Sequence, residues 1–339
     1  MLAAMLLTAT QMTAQTFVLT STNNASGNEV VVFRLQDSRT PSLSEVSTFE
    51  TGGDGGAGAN AGAVQFANNF GVVVNYGSNN VTRLVRFGSS IIPAGTVPLA
   101  HGCTKPTSVA LSSGRMFVVG ANCAETHELL SGALEGSVVP LSDSSAAQIA
   151  VGESWAAVTM TSGSVLQLPL NGAGSLSGAS SAVMLPSDAN NTPLGEAFWG
   201  DVLAFNPAHS PDSFALVNKS GDVFPVLGPQ PAYPANAPCW LTKGPGNIWY
   251  SGNSPGDAIS IFFSDGQGGV FYKSVPLAGS PTDISVSSDG KWLAVIFTAS
   301  DGTGGRVEVF AIDSYGDLNA VATSEAIGAT AFSGVAFSE

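Results

Sequence analysis

Charge is scarce in this chain. Of its 339 residues 11% are Asp, Glu, Lys or Arg, less than half of the roughly 25% usual in a soluble domain. The cations number 11 against 25 anions, a net charge of −14. Such a surface, with no Lys/Arg cluster, repels phosphate backbones and excludes nucleic acid as a partner. Histidine occurs three times, without metal-like spacing, which argues against a zinc site. No loop has the ligand density of a calcium site. "GGDGGAGANAG" lacks the Gly-Lys-Ser/Thr of a phosphate loop, and no Gly-x-Ser-x-Gly elbow is present. No metal and no cofactor is therefore expected, and the partner is expected to be a small molecule. Beyond the first residues no stretch of 18 uninterrupted apolar residues occurs, so no membrane span is expected.

Three cysteines are too few for a disulfide scaffold. Cys103 and Cys123 lie ten residues to either side of Ser113, the centre of a hairpin turn. Antiparallel pairing about that turn sets them across from each other, as a bridge or as two reduced neighbours. Cys239 is left over as a small buried apolar residue.

What the chain has in quantity is glycine and proline, 40 and 19 residues, which suits short strands joined by tight turns. The N-terminal "MLAAMLLTATQMTAQ", residues 1–15, reads as a shortened secretion signal; the alternative is a buried strand. Four sequons, at Asn24, Asn80, Asn190 and Asn218, agree with secretion and glycosylation. The expected location is the exterior or an endomembrane lumen.

A Gly/Asn turn followed by an alternating strand recurs along the chain, as in "NYGSNNVTRLVRF" and "DGTGGRVEVFAI". Matching positions are Val30, Val81, Val138, Val165, Val223, Ile259 and Val307, at an average spacing of about 46 residues, close to the period of propeller blades. A second hairpin precedes the unit, clearest in "PTDISVSSDGKWLAVIF". The first unit, from "TFVLTST", lacks its innermost strand, and the chain ends on an orphan strand, "ATAFSGVAFSE". Joining the two closes a ring without exposed edges. The fold class is all-β: one seven-bladed β-propeller of four-stranded antiparallel blades over residues 16–339.

The "VNYGSNNVTRL" and "SSDGKWLAVIF…GRVEVFAI" patterns resemble the seven-bladed propellers of the fungal lactonase and carboxymuconate-cyclase-like group. That group opens an inner strand with His-Pro-His; here "HGCTKPTSVAL" keeps only His101. The departure turns the first expectation away from lactone chemistry. It points to relatives in fungal natural-product pathways that join a tropolone-derived quinone methide to a terpene by hetero-Diels–Alder addition. The resemblance thus implies a cofactor-free cyclase acting on an apolar oxygenated molecule in an axial pocket. A lactone-forming or lactone-hydrolysing enzyme is the alternative, and a non-catalytic secreted binding propeller the second.

Loops entering inner strands, and loops between second and third strands, share one face of a propeller and supply the candidates. His101, Tyr76 or Lys105 would donate to a substrate oxygen; each is also readable as a rim or turn residue. Phe198, Trp199 and Trp240 would wall a pocket for a planar substrate, or else pack between blades. Glu196 and Asp283 enter inner strands and serve as acid/base carboxylates or as turn caps. His127, with Glu125 and Glu128, falls on an insertion read as a short lid helix or a solvated surface.

Overall fold

A computed structural model describes residues 15–339 apart from 59, 188, 211–212, 228–236 and 329–331. The N-terminal segment read as a secretion signal lies outside the described residues except for Gln15. Twenty-eight strands form seven antiparallel sheets of four, and the inner strands of neighbouring blades pack against one another all the way round the ring. Among the described residues there is no helix, and so none long and apolar enough to cross a membrane.

Ring closure takes the expected form. Ser333–Ser338 becomes the innermost strand of blade one, beside Thr16–Ser21, with Glu29–Gln36 and Ser42–Glu50 outside it. The Asn80–Phe87 strand, from "NYGSNNVTRLVRF", is the third of blade two. Five of the seven matched positions fall on third strands. Val138 and Val223 instead sit on the outermost strands of blades three and five, Leu134–Pro140 and Val223–Leu227. The third strand of blade three is Cys123–Glu128, "CAETHE", whose polar residues hide it from a hydrophobic template.

The scarcity of charge has its explanation in the packing. Seven apolar clusters fill the seven wedges between adjacent blades. Side chains alternate across a strand, so both faces of each blade need apolar residues. In Glu29–Gln36, Val30 and Val32 pack toward blade two, while Val31, Phe33 and Leu35 pack toward blade seven. The outermost strands carry the exposed positions, as in the pattern of Ser42–Glu50.

Cys103 and Cys123 form the expected bridge, with Cα atoms 5.7 Å apart. The register differs from the expectation. Ser108–Ser112 and Arg115–Val119 pair about a turn at Ser113 and Gly114, both at positive φ, as a two-residue hairpin requires. Pairing runs out before Cys103, which lies in the loop leading to the inner strand, and Cys123 opens the third strand. The bridge therefore ties a loop to a strand. Removing it with Cys103→Ser should cost about 3 kcal/mol by loop-closure entropy for a 20-residue separation. A melting temperature that does not change under reductant would contradict this.

His127, Glu125 and Glu128 do not form a lid helix. They lie on the third strand of blade three, with Glu125 and His127 buried. Glu125 and His127 are two residues apart and so share a face, which brings Nε2 of the imidazole to 2.8 Å from the carboxylate. Both Glu125 oxygens also accept the Ala100 N–H. The pair holds the Ala100 segment, beside His101, to blade three.

The axial shaft as candidate functional site

All seven inner strands contribute to one cavity of about 420 Å³ along the axis. Small side chains, Ala110, Ala150, Ala197, Ser285 and Ala336, are among its lining. The lining also reaches Asn68 and Ser288, which lie in turns joining first to second strands. Those turns are at the end of the ring opposite the loops that enter inner strands.

A recurring irregularity shapes the shaft. The inner strands of blades one, four, five, six and seven each carry a bulge near their N-terminal end. A bulge places an extra residue on one strand and re-aims the side chains that follow. The residues that resume pairing are Val335, Gln148, Glu196, Trp240 and Asp283. Three of these are polar, buried and part of the shaft lining: Gln148, Glu196 and Asp283.

Gln148 is a blade-to-blade staple. Its Nε2 donates to the Glu196 carbonyl at 3.0 Å, and its Oε1 accepts the Glu196 N–H at 2.8 Å. Asp283 does similar work across the closure. Its Oδ2 accepts N–H groups from Gly62 at 3.2 Å and Val335 at 3.1 Å, while Oδ1 accepts that of Ile284 at 2.9 Å. One carboxyl thus joins blades seven, one and two.

Burial pushes the Asp283 carboxyl up to about 7, the three backbone N–H groups offsetting part of the rise. Glu196 is 1% exposed, and neither of its carboxyl oxygens has a hydrogen-bond partner of good geometry. Burial raises it well above the usual carboxylate range, opposed in part by the nearby Ala150 and Thr159 amides. An unpaired buried carboxyl is expensive as an anion, so the surroundings of Glu196 favour its protonated form.

Of the residues singled out in the sequence, only Glu196 and Asp283 line the shaft. The aromatic wall is not at the axis. Trp240 lies in the wedge between blades six and seven, its indole N–H donating to the Pro281 carbonyl at 2.7 Å. Phe198 meets Trp155 edge-on at 4.8 Å in the wedge between blades four and five. Trp199 ends its strand 40% exposed, with the Lys243 ammonium 5.2 Å from its ring centre. Trp240 follows the same bulge as Glu196 and Asp283 yet is held in the wedge by its indole hydrogen bond and the surrounding apolar cluster.

The proposed donors gather elsewhere. His101 and Lys105 are exposed on the loop entering blade three. The Lys105 ammonium lies 5.8 Å from the ring centre of Tyr76, and its backbone N–H donates to Asn79 Oδ1 at 2.7 Å. None of the three lines the shaft. The sequons at Asn24 and Asn190 are exposed, whereas those at Asn80 and Asn218 are half-buried. The Asn80 side chain accepts from Asn75, and the Asn218 side chain is held by Asp222.

Sequence reasoning missed Gln148. Its signal is one polar residue inside a short apolar inner strand: "AAQIAV", as in "PLGEAFW".

No protein-family model and no curated protein sequence matches the chain. Among solved structures it is similar to the periplasmic gluconolactonase of Pseudomonas aeruginosa, at 15% identity and a TM-score of 0.68 over 96% of this chain and 99% of that one. It is also similar to a Bacteroides uniformis protein provisionally described as a 6-phosphogluconolactonase, at 14% identity and a TM-score of 0.67 over 90% and 94%. Virginiamycin B lyase of Staphylococcus aureus is a further likeness, at 14% identity and a TM-score of 0.57 over 82% and 95%. At these identities the likeness is one of fold: the chain is a seven-bladed β-propeller built like theirs.

Proposed function

We propose that the chain is a metal-independent acid–base hydrolase that opens a lactone in the axial shaft. The observation that carries the reading is the pairing of environments in one cavity. Glu196 is a buried carboxyl without a well-aligned partner, pushed toward its protonated form, and Asp283 is a carboxyl that ionises near pH 7. Two carboxyls held apart in this way supply an acid and a base at the same pH. The lactonase descriptions of two structural neighbours support the choice. Cycloaddition, which needs shaped aromatic walls, loses its support because the tryptophans lie elsewhere. The Cys103–Cys123 bridge favours an oxidising compartment as the place of action.

The roles follow from the hydrogen bonds. Three N–H groups stabilise the Asp283 anion and suit it to the base's role, while burial and the want of a well-aligned donor favour the protonated form of Glu196. A carboxylate offers about four lone-pair positions, which leaves one for a water molecule. Asp283 takes a proton from that water as its oxygen adds to the lactone carbonyl carbon. Glu196 hydrogen-bonds the carbonyl oxygen without releasing its proton, then passes that proton to the ring oxygen as the carbon–oxygen bond breaks, and proton exchange with water returns both carboxyls to their starting forms. The product is the hydroxy acid.

The test is turnover of an uncharged five- or six-membered lactone in the presence of a chelator, followed across pH 5 to 9. The expected rate rises with pH through about 7 as Asp283 ionises. A chelator-resistant rate that is already flat at pH 5 would remove Asp283 as the base.

A further inference from the structure

We infer that the shaft accepts an uncharged, hydroxylated lactone and rejects phosphorylated or carboxylated ones. This rests on the hydrolase reading above and adds the substrate class. Of the described residues lining the shaft, Glu196, Asp283 and Glu339 are carboxyls, and none is Lys, Arg or His. An anionic substituent would have to shed its water beside three acidic groups with no counter-charge to receive it.

Backbone amides do not fill that gap. The Gly62 and Val335 N–H groups, which converge at the axis, are already taken by Asp283. At the far end of the shaft Glu339 accepts the Ser288 N–H at 2.6 Å. Arg86 and Lys291 feel the Glu339 charge, yet neither lines the cavity.

Neutral hydroxyls find what anions do not. Gln65, Asn68, Thr242 and Ser285 line the shaft. None of these four side chains is among the hydrogen-bonded groups of the described residues, so their donors and acceptors are available. Phe66, also in the lining and half-buried, offers apolar surface to a ring. A neighbour's description as a 6-phosphogluconolactonase therefore does not carry over as a phosphorylated substrate.

Binding is separated from turnover by using lactams, which keep the ring and carbonyl but resist opening. Titration calorimetry on the whole chain at pH 8, above the pH near 7 at which Asp283 ionises, and low salt compares D-glucono-1,5-lactam with its 6-phosphate. The neutral lactam is expected to bind, and the phosphate ester to bind more weakly by about 10²-fold or more, the scale of uncompensated like charges. Gln65→Arg should narrow that gap by at least about tenfold. Equal or tighter binding of the phosphate ester overturns the inference, and so does a failure of the neutral lactam to bind. A gap unchanged in folded Gln65→Arg overturns it as well. The hydrolase reading fails by a different measurement, the absence of turnover on any neutral lactone, which leaves the comparison of the two lactams standing.

Discussion

Deleting residues 332–339 should abolish the folded monomer and send the chain into aggregate. The deletion removes the inner strand of blade one and exposes the edge of Thr16–Ser21, which pairs with it from Phe17 to Ser21. It also takes Val335 and Phe337 from the wedge against blade seven and Ala336 from the wedge against blade two. Each large apolar side chain lost from burial costs about 1.5–3 kcal/mol, and the whole fold is stable by only about 5–15 kcal/mol. Unpaired edge and lost core together exceed that margin, and a bare edge recruits other chains. The Thr20 hydroxyl loses the Gly334 carbonyl, and Asp283 loses the Val335 N–H. A milder variant makes the same point without truncation. Gly334 has φ +80 inside the bulge, and a Cβ there would run into the Val64 backbone nitrogen, so Gly334→Ala should lower the melting temperature by several degrees. A soluble truncated chain with an unchanged melting temperature would show that the ring is not closed this way.

Glu196→Gln and Asp283→Asn should each lower lactone turnover by about 10²–10⁴-fold, the usual contribution of a positioned acid or base. The two are distinguishable by their pH behaviour. Glu196→Gln keeps the ascending limb near pH 7, because Asp283 still titrates; Asp283→Asn removes it. Stability moves in the opposite direction to activity. A carboxyl raised from 3.8 to about 7 binds its proton more tightly in the fold than in the unfolded chain. Its contribution is fully present below about pH 4 and is lost as pH rises through 7, up to about 4 kcal/mol at 1.36 kcal/mol per pH unit. Denaturant titrations should therefore show wild type losing stability between pH 4 and 8, and Asp283→Asn losing much less. Retained activity in folded Asp283→Asn would place the base elsewhere.

Strand count and ring closure were readable because they rest on local signals. A turn such as Ser113–Gly114 needs positive φ, and glycine beside a small polar residue marks it wherever it falls. An incomplete first unit and an orphan last strand then leave one way to bury both edges. The template failed at Val138 and Val223, since third and fourth strands of a blade both follow Gly-containing turns. It failed at "CAETHE" because burial there is satisfied by hydrogen bonds, with Glu125 and His127 partnering each other. The low charge follows from the seven wedges, which need apolar residues on both faces of each blade.

The sequence by itself determined the blade, its number and its closure, since these follow from period-two patterning, turn chemistry and the need to cover strand edges. It also marked Glu196 and Asp283 as carboxyls at the start of inner strands. Only the tertiary structure decided which side chains meet at the axis. The same one-residue bulge precedes the tryptophan of "PCWL" and the aspartate of "SPTD", and no local signal shows that only the aspartate reaches the shaft lining while the tryptophan packs in a wedge. The raised Asp283 and Glu196 carboxyls likewise depend on groups far away in the chain, such as the Gly62 and Val335 amides that Asp283 meets only once the ring has closed. Burial and hydrogen bonding are properties of that closed ring.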